Sequence, residues 1–178
     1  MALRRAACYS RRYALPFTRK SKFKQKAYIK SVPATKLTKM RMGDLVGYKA
    51  GKYKTILDVK TKHRVQLRDN ALEASRQFLN RFLLEKVGKE FYFEVKPYPH
   101  HIIRENKMLT GAGADRMQTG MALSFGKSTG RACLMRRGDT IFIIGVMNAK
   151  AEAIARKLVG SVRARMPCTM HIETIRKK

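Results

Sequence analysis

Apolar residues recur at helical spacing most clearly between Asn70 and Gly88, where Leu72, Phe78, Leu79, Phe82 and Leu83 fall near i, i+3, i+4 intervals. The spacing predicts a long helix that Gly88 stops. Asn70 stands where an N-cap belongs, and Glu73 three residues on is placed to complete a capping box. Arg76, Asn80 and Arg81 lie off the stripe, on the expected solvent face, and the stripe itself reads as core packing. A second helix follows Asn148, with Ala151, Ile154, Ala155, Leu158 and Val162 turned inward and Met166-Pro167 ending it.

Strand patterns lie between and around these helices. Residues 63–68 alternate, Val65 and Leu67 on one side and Arg64, Gln66 and Arg68 on the other. Short strands are expected near 53–59, over 90–96 and 100–104 with Pro97 and Pro99 breaking the ladder between them, and over 132–136. Residues 137–139 form a turn. The segment TIFIIGV at 140–146 is apolar on both faces and predicts a central strand covered on both sides. Residues 169–175 alternate Met170 and Ile172 against His171 and Glu173, a last strand with one polar side. No internal repeat appears. Intermixed strands and two long helices predict an α+β class, a mixed or antiparallel sheet with both helices packed on one face.

Composition changes this picture in one respect. The 178 residues are 44% hydrophobic, enough for one ordinary core. Yet 40 Lys and Arg face 12 Asp and Glu, a formal net charge of +28. Repulsion of that size is tolerable only beside a polyanion, so the expected partner is nucleic acid. The charge is uneven. Residues 1–43 carry 13 Lys or Arg and no acid, and Tyr9, Tyr13, Phe17, Phe23 and Tyr28 are spaced among the cations. Disordered tails are usually poor in aromatic residues. Rings alternating with cations suit a chain laid across RNA, with the cations on phosphates and some rings on bases. Residues 1–43 are therefore expected to be an extended basic arm that orders on RNA, and residues 44–178 a single body.

Other classes are disfavoured. The longest mostly apolar run, 141–147, is far shorter than the roughly 20 residues that cross a bilayer. The basic start is not followed by an apolar stretch, so it is not expected to be a secretory signal. Cys8, Cys133 and Cys168 are far apart, in no C-x-x-C pair, which fits neither a disulfide framework nor a zinc site and suits a reducing cytoplasm.

Candidate chemistry is thin. Gly111-Ala112-Gly113-Ala114-Asp115 lacks the Lys-Ser/Thr pair of a P-loop and the third glycine and distal acid of a dinucleotide fingerprint. Its glycines still allow close backbone approach to a phosphate, and Arg104, Lys107, Arg116 and Lys127 flank it. Asp115 is placed to cap a short helix through Leu123, within a mobile glycine-containing loop at 104–127. His100 and His101 are neighbours on an extended segment and point to opposite faces, so they do not grip one metal together. Cys8 sits among cations but without a pocket. Met117 and Met121 read as core filling. No catalysis, cofactor or metal is expected. An RNA-modifying enzyme built on His101 and a chromatin-type DNA binder are the alternatives from other classes.

The stretch RENKMLTGAGADRMQTGM at 104–121, followed by Ser124-Phe125-Gly126-Lys127, resembles the universal large-subunit ribosomal protein number sixteen family, in its archaeal and eukaryotic form called "L ten e". Cys8-Tyr9 after an Arg-rich start, Asn70-Ala71-Leu72-Glu73-Ala74 and Pro99-His100-His101 before Ile102-Ile103-Arg104 support it, in order through most of the chain. The chain ends soon after its last expected strand, which resembles the archaeal type. It departs from the family pattern in lacking a proline near Arg4-Arg5 and in having Ser128 after Lys127. The resemblance implies a structural, non-enzymatic constituent of the large ribosomal subunit in the cytoplasm, docked on 23S rRNA near 5S rRNA and beside the aminoacyl-site tRNA. It also implies neighbouring large-subunit proteins as partners and a late role in subunit assembly. Neither a membrane nor a second copy of the chain is expected as a partner. By position it implies rRNA contacts for the arm residues Arg4, Arg5, Arg11, Arg12, Arg19, Lys20, Lys22 and Lys24. For the loop it implies contacts by Arg104, Asn106, Lys107, Arg116 and Lys127.

Overall fold

A computed structural model describes Ser10, residues 16–105 and residues 126–176. Among these described residues eight strands and four α-helices follow in the order α1 (Lys24–Ala27), β1 (Arg41–Gly43), α2 (Leu45–Lys49), β2 (Thr55–Thr61), β3 (Val65–Arg68), α3 (Asp69–Val87), β4 (Phe91–Val95), β5 (His101–Glu105), β6 (Lys127–Met135), β7 (Thr140–Val146), α4 (Ala149–Val162) and β8 (Met170–Arg176). The class is α+β and every strand pairing is antiparallel. There are two sheets where one was expected: a five-stranded sheet ordered β1-β4-β7-β2-β8 and a three-stranded sheet ordered β3-β6-β5.

The apolar segment 140–146 became the middle of the large sheet. Ile141, Phe142, Ile144 and Val146 of β7 are fully buried between β4 and β2. Val65 and Leu67 of β3 and Cys133 and Met135 of β6 join the same core as Leu57, Phe93 and Phe142 of the large sheet. The long helix α3 packs against α4 and touches strands of both sheets, with Leu72, Leu79 and Leu83 sealed beneath it. Gly43 ends β1 where no other residue fits. Its φ is +83°, and a Cβ there would meet the Phe91 carbonyl oxygen at 2.1 Å.

The start of α3 differs from the expected capping box. The helix begins at Asp69, whose Oδ1 accepts from the Asn70 N–H at 2.8 Å, and Arg68 holds the extended N-cap position without a side-chain bond. Glu73 does not reach back, because Arg76, expected on the solvent face, is buried beside it and takes its carboxylate. Gln66, placed by alternation on an open side of β3, is also buried, at 4% exposure. At α4, Asn148 occupies the N-cap by backbone only, its carbonyl accepting from the Glu152 N–H at 3.0 Å.

Parts of the expected arm and of the expected glycine loop lie among the described residues. Within 1–43, Arg41–Gly43 is a strand of the large sheet and Ile29, Leu37 and Met42 are buried. Within 104–127, Arg104 lies on β5 and Lys127 on β6, paired strands whose register matches Glu105 with Lys127. The helix expected after Asp115 lies outside the described residues.

Candidate nucleic-acid interface

The basic segment from Pro16 to Met40 is pinned along the small sheet and then along α3. Phe17 closes onto the free edge of β5: its N–H donates to His101 Nδ1 at 2.9 Å and its carbonyl accepts from the Ile102 N–H at 2.9 Å. The Arg104 guanidinium lies 4.3 Å over the Phe17 ring, and Lys26 Nζ is 5.7 Å from that ring and 5.5 Å from the Phe23 ring. Further on, Arg131 Nε donates to the Pro33 carbonyl at 2.6 Å, and the Lys36 N–H donates to Asp69 Oδ2 at 3.0 Å. Thr38 donates through its N–H and hydroxyl to the Glu73 carboxylate. Finally the Val95 N–H donates to the Met40 carbonyl at 2.7 Å, carrying the chain into β1.

Two buried groups set this strap's electrostatics. His101 is 2% exposed, and burial first and the Arg104 charge second push its pKa down to about 4. At neutral pH it is an uncharged acceptor, which is the form that receives the Phe17 N–H. Glu73 is held down to about 2, chiefly by its hydrogen bonds from Arg76, with burial opposing. Arg76 donates from Nε at 2.8 Å and again from Nη2, and also reaches Thr38 Oγ1 and the Met42 sulfur.

The outer side of the strap is cationic. Arg19, Lys20, Lys22 and Lys24 are exposed, as are Lys30, Lys36 and Lys39. Two rings stand among them: Phe23 at 57% and Tyr28 at 73% exposure. This arrangement offers phosphate contacts and stacking faces together, as single-stranded RNA sites do. Arg104 is half-buried through its contact with Phe17, whereas Lys127 is exposed. Arg4, Arg5, Arg11, Arg12, Asn106, Lys107 and Arg116 lie outside the described residues.

Other candidate chemistry finds no support in the geometry. His100 is exposed against the Tyr98 ring at 4.6 Å while His101 is buried, so the two part as the extended backbone requires. Burial pushes the Cys133 thiol up to about 12 and that of Cys168 up to about 11, leaving both protonated near neutral pH. Among the described residues no cluster of His, Cys, Asp and Glu has metal-binding geometry, and no helix is long and apolar enough to cross a membrane. Sequence reasoning missed the Phe17–His101 clamp and the Arg131–Pro33 tie. Neither leaves a periodic trace, since each joins positions more than 80 residues apart.

Residues 16–173 match the family described as Ribosomal protein L16p/L10e. The "Large ribosomal subunit protein uL16" of Metallosphaera sedula is 40% identical, covering 98% of this chain and 95% of its own length. Its namesake in Thermofilum pendens is 38% identical over 97% of this chain and 96% of its own length. The Caldivirga maquilingensis protein of the same name is 36% identical over 99% and 97% respectively. All three organisms are archaeal. With a match this long, an α+β body and a cationic outer strap, the chain belongs to the L16p/L10e family of structural, non-enzymatic proteins of the large ribosomal subunit.

Proposed function

We propose that this chain is a structural constituent of the large subunit, working in the cytoplasmic ribosome, that binds 23S rRNA through its strap and through the 104–127 segment. On this reading it lies near 5S rRNA and the aminoacyl-tRNA site, supports tRNA positioning and joins late in subunit assembly. Phe23 and Tyr28 carry the proposal: two rings at 57% and 73% exposure among exposed cations. Arg19, Lys20, Lys22 and Lys24 hold phosphates beside them. Arg104 and Lys127, on paired strands, carry the two ends of the 106–126 connection toward RNA, with Asn106, Lys107 and Arg116 as its contacts. Arg4, Arg5, Arg11 and Arg12 extend the contact surface before the strap.

The test is binding of the full chain to transcribed large-subunit rRNA across a salt series. Phe23→Ala/Tyr28→Ala removes two stacking faces and no core contact. It is expected to weaken binding at least about fivefold, the effect of losing ~1 kcal/mol of base stacking, without lowering Tm. Subunits reconstituted with Arg104→Ala/Lys107→Ala protein are expected to mature slowly or accommodate tRNA poorly. Unchanged rRNA affinity in the first variant, with normal subunits in the second, overturns the proposal.

A further inference from the structure

Two depressions meet at Pro167, between β3 and the turn that follows α4. The larger, of 490 Å³, is lined by Arg64 and Arg163 with Val65, Met166 and Cys168 as its apolar wall. The smaller, of 240 Å³, is lined by Arg68, Arg165, Gln66 and Asn70. Among the described residues no carboxylate lines either one. Gln66 is 96% buried by its 4% exposure, and its side-chain oxygen has no hydrogen-bond partner; the side-chain oxygen of Asn70 is buried and unpartnered too. The Arg165 guanidinium is stacked 4.2 Å from the Phe78 ring, which fixes it while leaving its in-plane donors available. β3 and β5 are opposite edges of the small sheet, so this groove lies across that sheet from the Phe17–Arg104 clamp.

We infer that this groove is a second RNA-binding site, which takes a single-stranded stretch of large-subunit rRNA with one unstacked base seated among Gln66, Asn70 and Pro167. The inference rests on the ribosomal reading above and adds a surface that neither the strap nor the 104–127 segment supplies. The argument is one of complementarity. Arg64, Arg163 and Arg165, with no carboxylate among the described lining residues, call for a polyanion, which sets RNA above a peptide or a small metabolite. Gln66 and Asn70 hold amide oxygens that can only accept, and the edges of all four bases carry N–H donors. The larger depression meets this base seat at Pro167, and its wall of Val65, Met166 and Cys168 takes the apolar face of the adjoining nucleotide.

The full chain is compared with Arg64→Ala/Arg163→Ala and with Gln66→Met, using transcribed large-subunit rRNA. The double variant changes two exposed residues. It is expected to bind more weakly and to flatten the slope of log affinity against log salt by about 1.4, the release expected from two single-strand phosphate contacts. Gln66→Met is expected to lower affinity about fivefold while Tm stays or rises, because it removes an unpaired buried acceptor. Rings crosslinked from 4-thiouridine-substituted rRNA are expected on the peptide spanning 163–169. The wild-type slope and affinity in both variants, while Phe23→Ala/Tyr28→Ala still loses binding, overturn this site and leave the ribosomal reading intact. Failure of the wild-type chain to bind the rRNA overturns both. A fall in Tm with unchanged affinity in Gln66→Met makes that residue purely structural and removes the base slot. Competition by polyglutamate as strong as by single-stranded RNA would make the groove a seat for an acidic protein.

Discussion

Replacing Arg76 with Met should uncouple the strap from the body, because it leaves the Glu73 carboxylate buried without its counter-charge. Both residues are at most 9% exposed, so water does not take over the lost partner. Two routes give the size of the effect. Removing one member of a buried pair generally costs 3–5 kcal/mol, roughly, and Glu73 keeps bonds from Gln77 and Thr38, which points to the lower end. Independently, Glu73 is held at about 2 against an ordinary 4.5, and at ~1.4 kcal/mol per pKa unit the folded state favours the ionised form by about 3 kcal/mol. For a chain of this length that is a fall in Tm of about 6–12 °C. The same pair fixes a pH window. The depressed pKa means that its stabilisation is complete above 4.5 and is lost as pH falls toward about 2. Chemical denaturation at pH 7 and pH 3, on wild type, Arg76→Met and Glu73→Leu/Arg76→Met, measures both effects. The double variant replaces the pair with apolar groups and should recover most of the loss. A single variant within about 1 kcal/mol of wild type, or a double variant no better than the single, would refute the account.

Other outcomes follow from the same coordinates. His101, lowered from 6.5 to about 4, binds fewer protons folded than unfolded, so its stabilisation is complete above pH 6.5 and lost toward pH 4; NMR titration should find its ring neutral at pH 5.5 in the native chain. His101→Phe keeps the ring and loses the acceptor for the Phe17 N–H, which should expose the bond after Phe17 to protease while the β7 amides keep their hydrogen-exchange protection. Gly43→Ala should destabilise far more than Gly138→Ala. Both positions have positive φ, a penalty of about 1–2 kcal/mol, but only at Gly43 would the new Cβ also strike a backbone oxygen, at 2.1 Å, while Gly138 faces open space. Equal melting temperatures for the two would contradict the close approach to Phe91.

What was legible in the sequence was whatever has a period. The stripe from Leu72 to Leu83 and the doubly apolar 140–146 segment gave α3 and β7 because burial imposes 3.6- and two-residue repeats on the residues that enter the core. β1 carries no such trace: its three residues hold an arginine, a methionine and a glycine, and pairing with β4 alone makes them a strand. β6 opens with Lys127, Ser128, Thr129 and Gly130, turn-prone types that read as loop, yet β5 on one side draws them into a ladder. The same limit hid the second sheet, since nothing local tells a strand which edge it will join. Asn70 and Glu73 formed a plausible capping box by spacing, but spacing does not report that Arg76 would be buried and claim the carboxylate. The candidate RNA-binding residues come from the family resemblance by position, and position does not report that Arg104 would lie 4.3 Å over the Phe17 ring.

Most of the few acids are engaged in contacts within the body. None lies in the first 43 residues. Glu73 pairs with Arg76, Glu94 with Arg41 and Lys96, Glu173 and Asp58 with Lys60, Glu152 with Arg156, and Glu90 with Lys52. Asp69 and Asp139 accept backbone N–H groups, and Asp44 caps α2. These nine acids are thus engaged within the body, and two of them, Glu73 and Asp69, hold the strap itself in place. Against 40 cations the 12 acids of the chain leave a formal excess of 28 positive charges. The fold therefore uses negative charge as internal fastening and exports positive charge to its surface. A surface charge-reversal series would separate the two uses: Lys20→Glu/Lys24→Glu should relieve repulsion and raise Tm at low salt while reducing rRNA affinity, whereas Glu73→Lys should lower Tm and unfold the strap. A fall in Tm for the first pair at low salt would mean that those lysines hold the fold and not the RNA.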